Sequence, residues 1–492
     1  MENLMYKSTR GSKNYLTSSE AIKRGLAEDG GLYMPTSIPK IDLDFIGSMV
    51  DAPYSERAFK VLSLYLTDYD SRTLHEICEK AYSAERFVGG AAPVYSLNEK
   101  TDVLELWHGP TCAFKDMALQ IMPMLLSEAL KMTGEKNDAL ILVATSGDTG
   151  KAALEGYRDV DKIRIMVFYP ENGVSAMQKL QMASQEGNNV NVVAIKGNFD
   201  DAQTGVKEIF ASKEIAHKLL EKNTFLSSAN SINWGRLVPQ VAYYFSAYCD
   251  MVKAKRIKLG DRISVVVPTG NFGNIFAAHL ARAMGLPIKK LICASNKNSV
   301  LTDFIEKGVY DKNREFYTTI SPSMDILVSS NVERLLSLIA GEEGTADYMT
   351  ALKNEGKYVL SDEQKDAVKA GFGAGFTTEE ETAETIKETF EKYGYLIDTH
   401  TAVAMKCAKE YIGSGNGEQV LVVSTASPYK FASSVIEALG KKCELEAVLA
   451  PEELEALSGK EIPLPLVKLH EKRIRFDKSI EKTEMADEVL KF

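Results

Sequence analysis

The chain has 492 residues, with 58 Lys and Arg against 68 Asp and Glu, a net charge of −10, and 45% hydrophobic and 26% charged residues. That length predicts two or three domains, and the composition excludes a wholly disordered chain. The acidic balance excludes broad nucleic-acid binding, which needs a basic surplus, but allows a local site for a small anion. In chain order, residues 1–100 read as an α-rich N-terminal segment. Helical patterns fall at Ser19–Ala27, Glu56–Leu66 and Ser71–Tyr82, and a turn-rich loop at Asp29–Pro35. From about residue 100 short apolar runs alternate with helical stretches: Val103–Trp107, Ala139–Thr145, Ile163–Tyr169, Val190–Ile195, Ile263–Pro268, Lys290–Ala294 and Val420–Ser424. Such runs read as buried strands of parallel sheets, with the ligand site at their carboxyl ends.

The expected organisation is a first α/β lobe over 101–260 and a second over 261–440. The stretch 341–393, rich in Glu, Lys, Thr and Gly, reads as an inserted, mostly helical surface segment of the second lobe. The tail 441–492 is charged and is expected to wrap the surface or to form an oligomer contact. The six cysteines are scattered, without C-x-x-C spacing, which argues against a disulfide framework or structural zinc and fits the cytoplasm. No metal site is expected. No run of 18 apolar residues occurs and the first eleven residues lack the apolar stretch of a signal peptide, so no membrane partner is expected.

Four loops after predicted strands carry the candidate chemistry. In His108–Asp116 a helix is expected to follow, with Ala118, Ile121, Met122, Leu125 and Ala129 on one face and an end near Gly134. Lys115 then lies at a helix start beside Phe114, where the dipole and desolvation both favour the neutral amine that Schiff-base chemistry needs. The plainer alternative is a surface lysine paired with Asp116. The loop Thr145–Lys151 resembles a P-loop only in part, because Thr145 and Ala152 stand where that motif needs Gly and Ser or Thr. It remains an anion-holding turn or an ordinary helix start capped by Ser146 or Asp148. The loop Gly270–Asn271–Phe272–Gly273–Asn274 opens a helix, expected over Ile275–Met284, and exposes several N–H groups, a cradle for one phosphate monoester. In Ser424–Pro428 a hydroxyl at a strand end is suited to a ring nitrogen, although a polar turn explains it as well.

A reactive lysine, a phosphate cradle and that hydroxyl together point to pyridoxal 5'-phosphate. The segments Gly25–Pro35, His108–Asp116, Ala144–Gly150, Ser228–Asn233 and Gly270–Asn274, in this order, resemble threonine synthases of the long bacterial and fungal type, over Tyr6 to about Phe431. The resemblance implies a fold-type II pyridoxal-phosphate enzyme. Lys115 would hold the cofactor and act as acid and base, Gly270 to Asn274 would bind its phosphate, and Thr425 would meet its ring nitrogen. Ser146 and Asp148 would lie near the cofactor; Asp148 stands where shorter relatives carry an asparagine. The substrate would be O-phospho-L-homoserine, its phosphate meeting residues among Thr111, Ser175, Asn230, Ser231, Asn233 and Arg236. For Arg236 a surface ion pair is the competing reading. Lys115 would remove the α-proton, phosphate would leave the γ-carbon, and water would add at the β-carbon to give L-threonine. Two positions depart from the family pattern: Thr399 replaces a proline and Ser427 a histidine. A lyase that releases a keto acid from the same kind of substrate, or a non-catalytic cofactor-binding relative, remains open, as does a monomer or a homodimer.

Overall fold

The computed structural model describes residues 3–145, 147–172 and 174–492. Two sheets organise it. One has six strands in the order Phe372–Phe376, Ile288–Ser295, Ile263–Pro268, Gln419–Ser424, Thr101–Glu105 and Val94–Ser96. All its pairs are parallel except the last. The other has five parallel strands in the order Ser479–Glu481, Val190–Lys196, Ile163–Pro170, Asp138–Ala144 and Thr224–Ser227. Helices cover both sheets, as the continuous apolar strands require. Within Asp138–Ala144 the side chains alternate: Ile141 and Val143 join the large central core, while Leu140 and Leu142 join a smaller one on the outer face. Two lobes with mostly parallel sheets are thus present.

Three expectations change. The strand Thr101–Glu105, expected to open the first lobe, lies in the six-stranded sheet beside Gln419–Ser424. Its apolar pattern is the same in either sheet, so only tertiary pairing assigns it. The segment 341–393 is mostly helical, but its glycine-rich stretch Phe372–Phe376 is the edge strand beside Ile288–Ser295. A side chain on Gly375 would stand 3.0 Å from Cys407 Sγ, which explains glycine where β-branched residues are usual. The tail spans both lobes. Ala450, Leu454, Ile462 and Leu466 pack into the core of the six-stranded sheet, while Ser479–Glu481 extends the five-stranded sheet and Met485 and Val489 enter its outer core.

The N-terminal segment is α-rich and pairs Tyr6–Ser8 antiparallel with Tyr33–Pro35. Arg10 grips Glu333 through two hydrogen bonds of 2.9 and 2.8 Å, which docks this segment on the helix Val332–Ile339. No helix among the described residues is long and apolar enough to cross a membrane.

Candidate active site

The loops after Thr101–Glu105, Ile263–Pro268 and Gln419–Ser424 meet the loop after Asp138–Ala144, so the site lies between the two sheets. Backbone hydrogen bonds stitch the lysine loop to the strand end: Leu106 N–H donates to Ser424 O at 3.0 Å and Phe114 N–H to Thr425 O at 2.8 Å. This fixes Lys115 relative to Thr425 before any ligand arrives. Lys115 immediately precedes a short helix, Asp116–Leu119, without capping it through its side chain, and a second helix runs over Met122–Met132. The expected single helix is broken because Pro123 has no N–H for the Leu119 carbonyl. That carbonyl closes on Gly156, where a Cβ would stand only 1.9 Å away.

Lys115 Nζ is 3.4 Å from Asp148 Oδ2 and 3.4 Å from Ser323 Oγ, and 4.9 Å from the centre of the Phe114 ring. Burial lowers its pKa, the Asp148 carboxylate opposes the shift and Lys430 adds to it. Asp116 is not its partner. That carboxylate accepts from Thr111 N–H at 2.8 Å and Thr111 Oγ1 at 2.7 Å, and burial pushes it up to about 6. Thr111, expected at the substrate, therefore has its hydroxyl committed to the loop itself.

Asp148 is also buried, which alone would raise its pKa, but Lys430 and Lys115 hold it far below the usual range. Lys430 Nζ lies 2.8 Å from Asp148 Oδ1 and donates to Thr111 O at 2.8 Å. Gln178 Nε2 donates to the same Asp148 oxygen at 3.0 Å. Gln178 forms a capping box with Ser175, whose hydroxyl accepts Gln178 N–H at 3.2 Å. The side chain of Ser175 thus starts a helix and reaches Asp148 only through Gln178. Ser146 lies outside the described residues.

The phosphate-binding candidate is built at the start of the helix Gly273–Met284. Phe272 adopts the left-handed conformation at φ 61°. A Cβ on Gly270 would lie 2.5 Å from Ser323 O, so only glycine admits this close approach. Asn271 O accepts Asn331 N–H at 3.1 Å and Asn331 Nδ2 at 2.9 Å. Asn274 Oδ1 accepts from Tyr244 at 2.6 Å, while its buried Nδ2 has no partner among the described residues. An orphaned amide donor at a helix start, beside a backbone that admits no side chain, fits an anionic group of phosphate size.

Arg236 is 4% exposed, and burial pulls its guanidinium down to about 10. It donates to Ala229 O, and its Nε has no partner among the described residues. The expected alternative, a surface ion pair, does not describe this side chain. Tyr157 is equally buried and its hydroxyl is also without a partner. Nearby, Asn233 is spent on structure: Nδ2 donates to Ile22 O at 3.0 Å and Ser228 O at 3.2 Å, and Oδ1 accepts Gly235 N–H. Asn230 N–H donates to Ser228 Oγ at 3.2 Å. Ser231 Oγ accepts from Asn331 at 3.4 Å, which joins this loop to the cradle. Buried Arg334 braces the same junction through Asn331, Ile232 O at 2.6 Å and Tyr33 O.

Sequence reasoning missed Ser323, Gln178, Lys430 and Arg334. Lys430 had a visible signal, a lysine inside the apolar run after Ser427. The others show none without their distant partners.

Residues 5–82 match the family described as Threonine synthase N terminus, 103–426 that of Pyridoxal-phosphate dependent enzyme, and 401–477 that of Threonine synthase, C-terminal. The chain is 41% identical to threonine synthase of Pseudomonas aeruginosa over 91% of its length and 93% of the relative's. It is also 41% identical to threonine synthase-like 1 of Homo sapiens over 86% of its own length, and it spans 58% of that longer relative. A crystal structure of PLP-bound threonine synthase from Brucella melitensis superposes with a TM-score of 0.88 at 36% identity, covering 99% of both chains.

Proposed function

The chain belongs to the threonine synthase family of pyridoxal-phosphate dependent enzymes, and from that premise we propose that it converts O-phospho-L-homoserine and water to L-threonine and phosphate. The observation that carries the reading is one buried lysine, inclined to the neutral amine, linked through Ser323 to a phosphate-sized cradle and within electrostatic reach of a buried arginine that has no carboxylate partner among the described residues. Lys115 Nζ would hold pyridoxal 5'-phosphate, Gly270, Asn271, Phe272, Gly273 and Asn274 its phosphate, and Thr425 its ring nitrogen. When bound, the cofactor supplies an electron-accepting ring next to the substrate's α-carbon.

The protein's own groups then have distinct tasks. Lys115 Nζ takes the proton from the α-carbon and later returns one; its burial keeps a neutral amine accessible for this. Asp148, fixed between Lys430, Gln178 and Lys115, provides a negative charge that receives the positive form of Lys115 without rearrangement. Arg236 and the Tyr157 hydroxyl bind the substrate phosphate, and Arg236 suits an oxyanion through its fork of donors. The half-buried Asn230 and Ser231 line the approach to that anion, and Asn233 shapes their loop. Ser175 and Thr111 act through Gln178 and Asp116. The partner is thus a phosphorylated amino acid, and the assembly a monomer or a homodimer. All six cysteines are free thiols, five of them buried, which supports a place in the reducing cytoplasm.

The test is purified protein with pyridoxal phosphate and phosphohomoserine, with threonine and phosphate both measured. Equal amounts of the two are expected; 2-oxobutyrate and ammonia in place of threonine would identify a lyase. Lys115→Ala should abolish both turnover and the visible absorbance band of the loaded protein, and full activity in that variant would overturn the assignment.

A further inference from the structure

A second polar network stands behind Lys115. His400 is 2% exposed and Asp398 is fully buried. The imidazole Nδ1 lies 2.6 Å from Asp398 Oδ2, and its Nε2 lies 3.1 Å from the backbone nitrogen of Ser323. A backbone N–H can only donate, so Nε2 is the acceptor and the ring proton sits on Nδ1, facing the carboxylate. Asp398 caps the helix Thr399–Gly413. It receives His400 N–H at 3.0 Å on the same oxygen, and Thr401 N–H at 3.0 Å with the Thr401 hydroxyl on the other.

Proton bookkeeping extends the chain. The Thr401 hydroxyl has one hydrogen, given to Asp398, so its 2.9 Å contact with Ser424 Oγ must be donated by Ser424. Ser424 in turn accepts Trp107 Nε1 at 3.0 Å. One carboxylate thus organises the strand end that precedes Thr425 and, through His400, the segment that presents Ser323. Ser323 is the junction: its Oγ is 3.4 Å from Lys115 Nζ, and its carbonyl is the atom that a Cβ on Gly270 would strike at 2.5 Å.

We propose that Asp398 and His400 are a positioning pair that sets Ser323 against both Lys115 and Gly270, and so fixes the distance between the amine and the phosphate cradle. The pair does not touch the reacting atoms. His400 acts as a fixed acceptor for one N–H, and Ser323 Oγ orients the lone pair and protons of Lys115 Nζ. The part of the test that uses turnover rests on the function proposed above; the part that uses cofactor loading does not.

The experiment compares wild type, Ser323→Ala, His400→Ala, His400→Gln and the double alanine variant. It reads the visible band of the cofactor-loaded protein without substrate, kcat and KM for phosphohomoserine, and the thermal midpoint. Ser323→Ala and His400→Ala should shift the band in the same direction and lower kcat about tenfold, the size of one well-placed hydrogen bond, with KM little changed. The double variant should lose no more than the worse single one, because both remove the same contact. His400→Gln, which can place an amide oxygen near the Nε2 position, should recover the band and much of kcat. The proposal is overturned if His400→Ala lowers only the thermal midpoint, or if the two losses multiply. Wild-type protein that loads cofactor but makes no threonine would refute the substrate instead, and the band comparison would still decide the role of His400.

Discussion

Asp148 stands between two lysines, and its three neighbours decide what it can do. Lys430 and Gln178 share one oxygen, and Lys115 faces the other. A buried ion pair adds little over an apolar pair, but removing one partner strands the other charge. Asp148→Asn should therefore destabilise the cofactor-free protein by about 3–5 kcal/mol, and Asp148→Asn with Lys430→Met should recover most of that in denaturant unfolding. The pH dependence follows from the sign of the shift. The folded pKa of Asp148 is depressed, so its contribution is present above the ordinary aspartate range and is lost only as pH falls through the lower folded value. Wild type should show its margin over Asp148→Asn at about pH 5 and lose it in acid; toward higher pH the margin should narrow, because without the Asp148 carboxylate buried Lys115 sheds its proton at lower pH. Asp116, raised to about 6, has the opposite sign: its ionisation costs stability as pH rises from the unfolded value toward 6. Both proteins carry it, so it cancels in the comparison. Lys115, Asp148 and the Gly270 loop were legible because each follows a strand run within a few residues. Ser323 was not, because its contact with Lys115 spans 208 positions and no local pattern encodes such a pair.

Among the elements, the seven apolar runs from Val103 onward all became strands, with ends moved by a few residues, since burial on both faces leaves a plain mark in sequence. The strand Phe372–Phe376 was missed because its three small residues carry no apolar run, and it sits at an edge where neighbours, not composition, admit it. The helix after Lys115 was expected in one piece, and its break has a use. Pro123 frees the Leu119 carbonyl, and this carbonyl presses on Gly156 of the helix Asp148–Tyr157. The short helix with Lys115 and the helix with Asp148 thus meet backbone to backbone. Gly156→Ala would place a methyl group 1.9 Å from that carbonyl oxygen, and backbone cannot yield as a side-chain tip does. The two helices must part, so we expect a loss of about 1–3 kcal/mol from overpacking. Because Lys115 and Asp148 would separate with them, kcat should fall as well. Chemical unfolding and steady-state kinetics on one preparation check both; a variant with normal stability would show that the close approach does not govern the packing.

Across the whole molecule the chain crosses between sheets more often than a two-lobe reading of its length implies. Thr101–Glu105 lies in the six-stranded sheet, the chain then builds the five-stranded one, returns at Ile263–Pro268, and in its tail passes over again. The tail leaves the core around Leu454 and Leu466 and ends in the core around Met485 and Val489. On the way Arg475 N–H donates to Ala183 O at 2.8 Å, and the Arg475 guanidinium to Gln185 O at 2.8 Å. It therefore acts as a strap over both lobes: Arg475 and Phe476 hold the end of the helix Ala176–Ala183 on the central-core side, and Met485 and Val489 anchor the opposite face of the five-stranded sheet. Met485 is 1% exposed and fills the space that Gly205 leaves, where a Cβ would stand 2.4 Å from its sulfur. Truncating it opens a cavity in a core that alternation along Asp138–Ala144 separates from the site. Met485→Ala should cost about 2–5 kcal/mol of stability, seen as a lower denaturant midpoint. Below that midpoint kcat should be unchanged, because the residues around Lys115 draw on the opposite face of the sheet. A fall in kcat in the fully folded variant would mean instead that the strap sets the spacing of the two lobes, and with it the distance from Lys115 to Asp148.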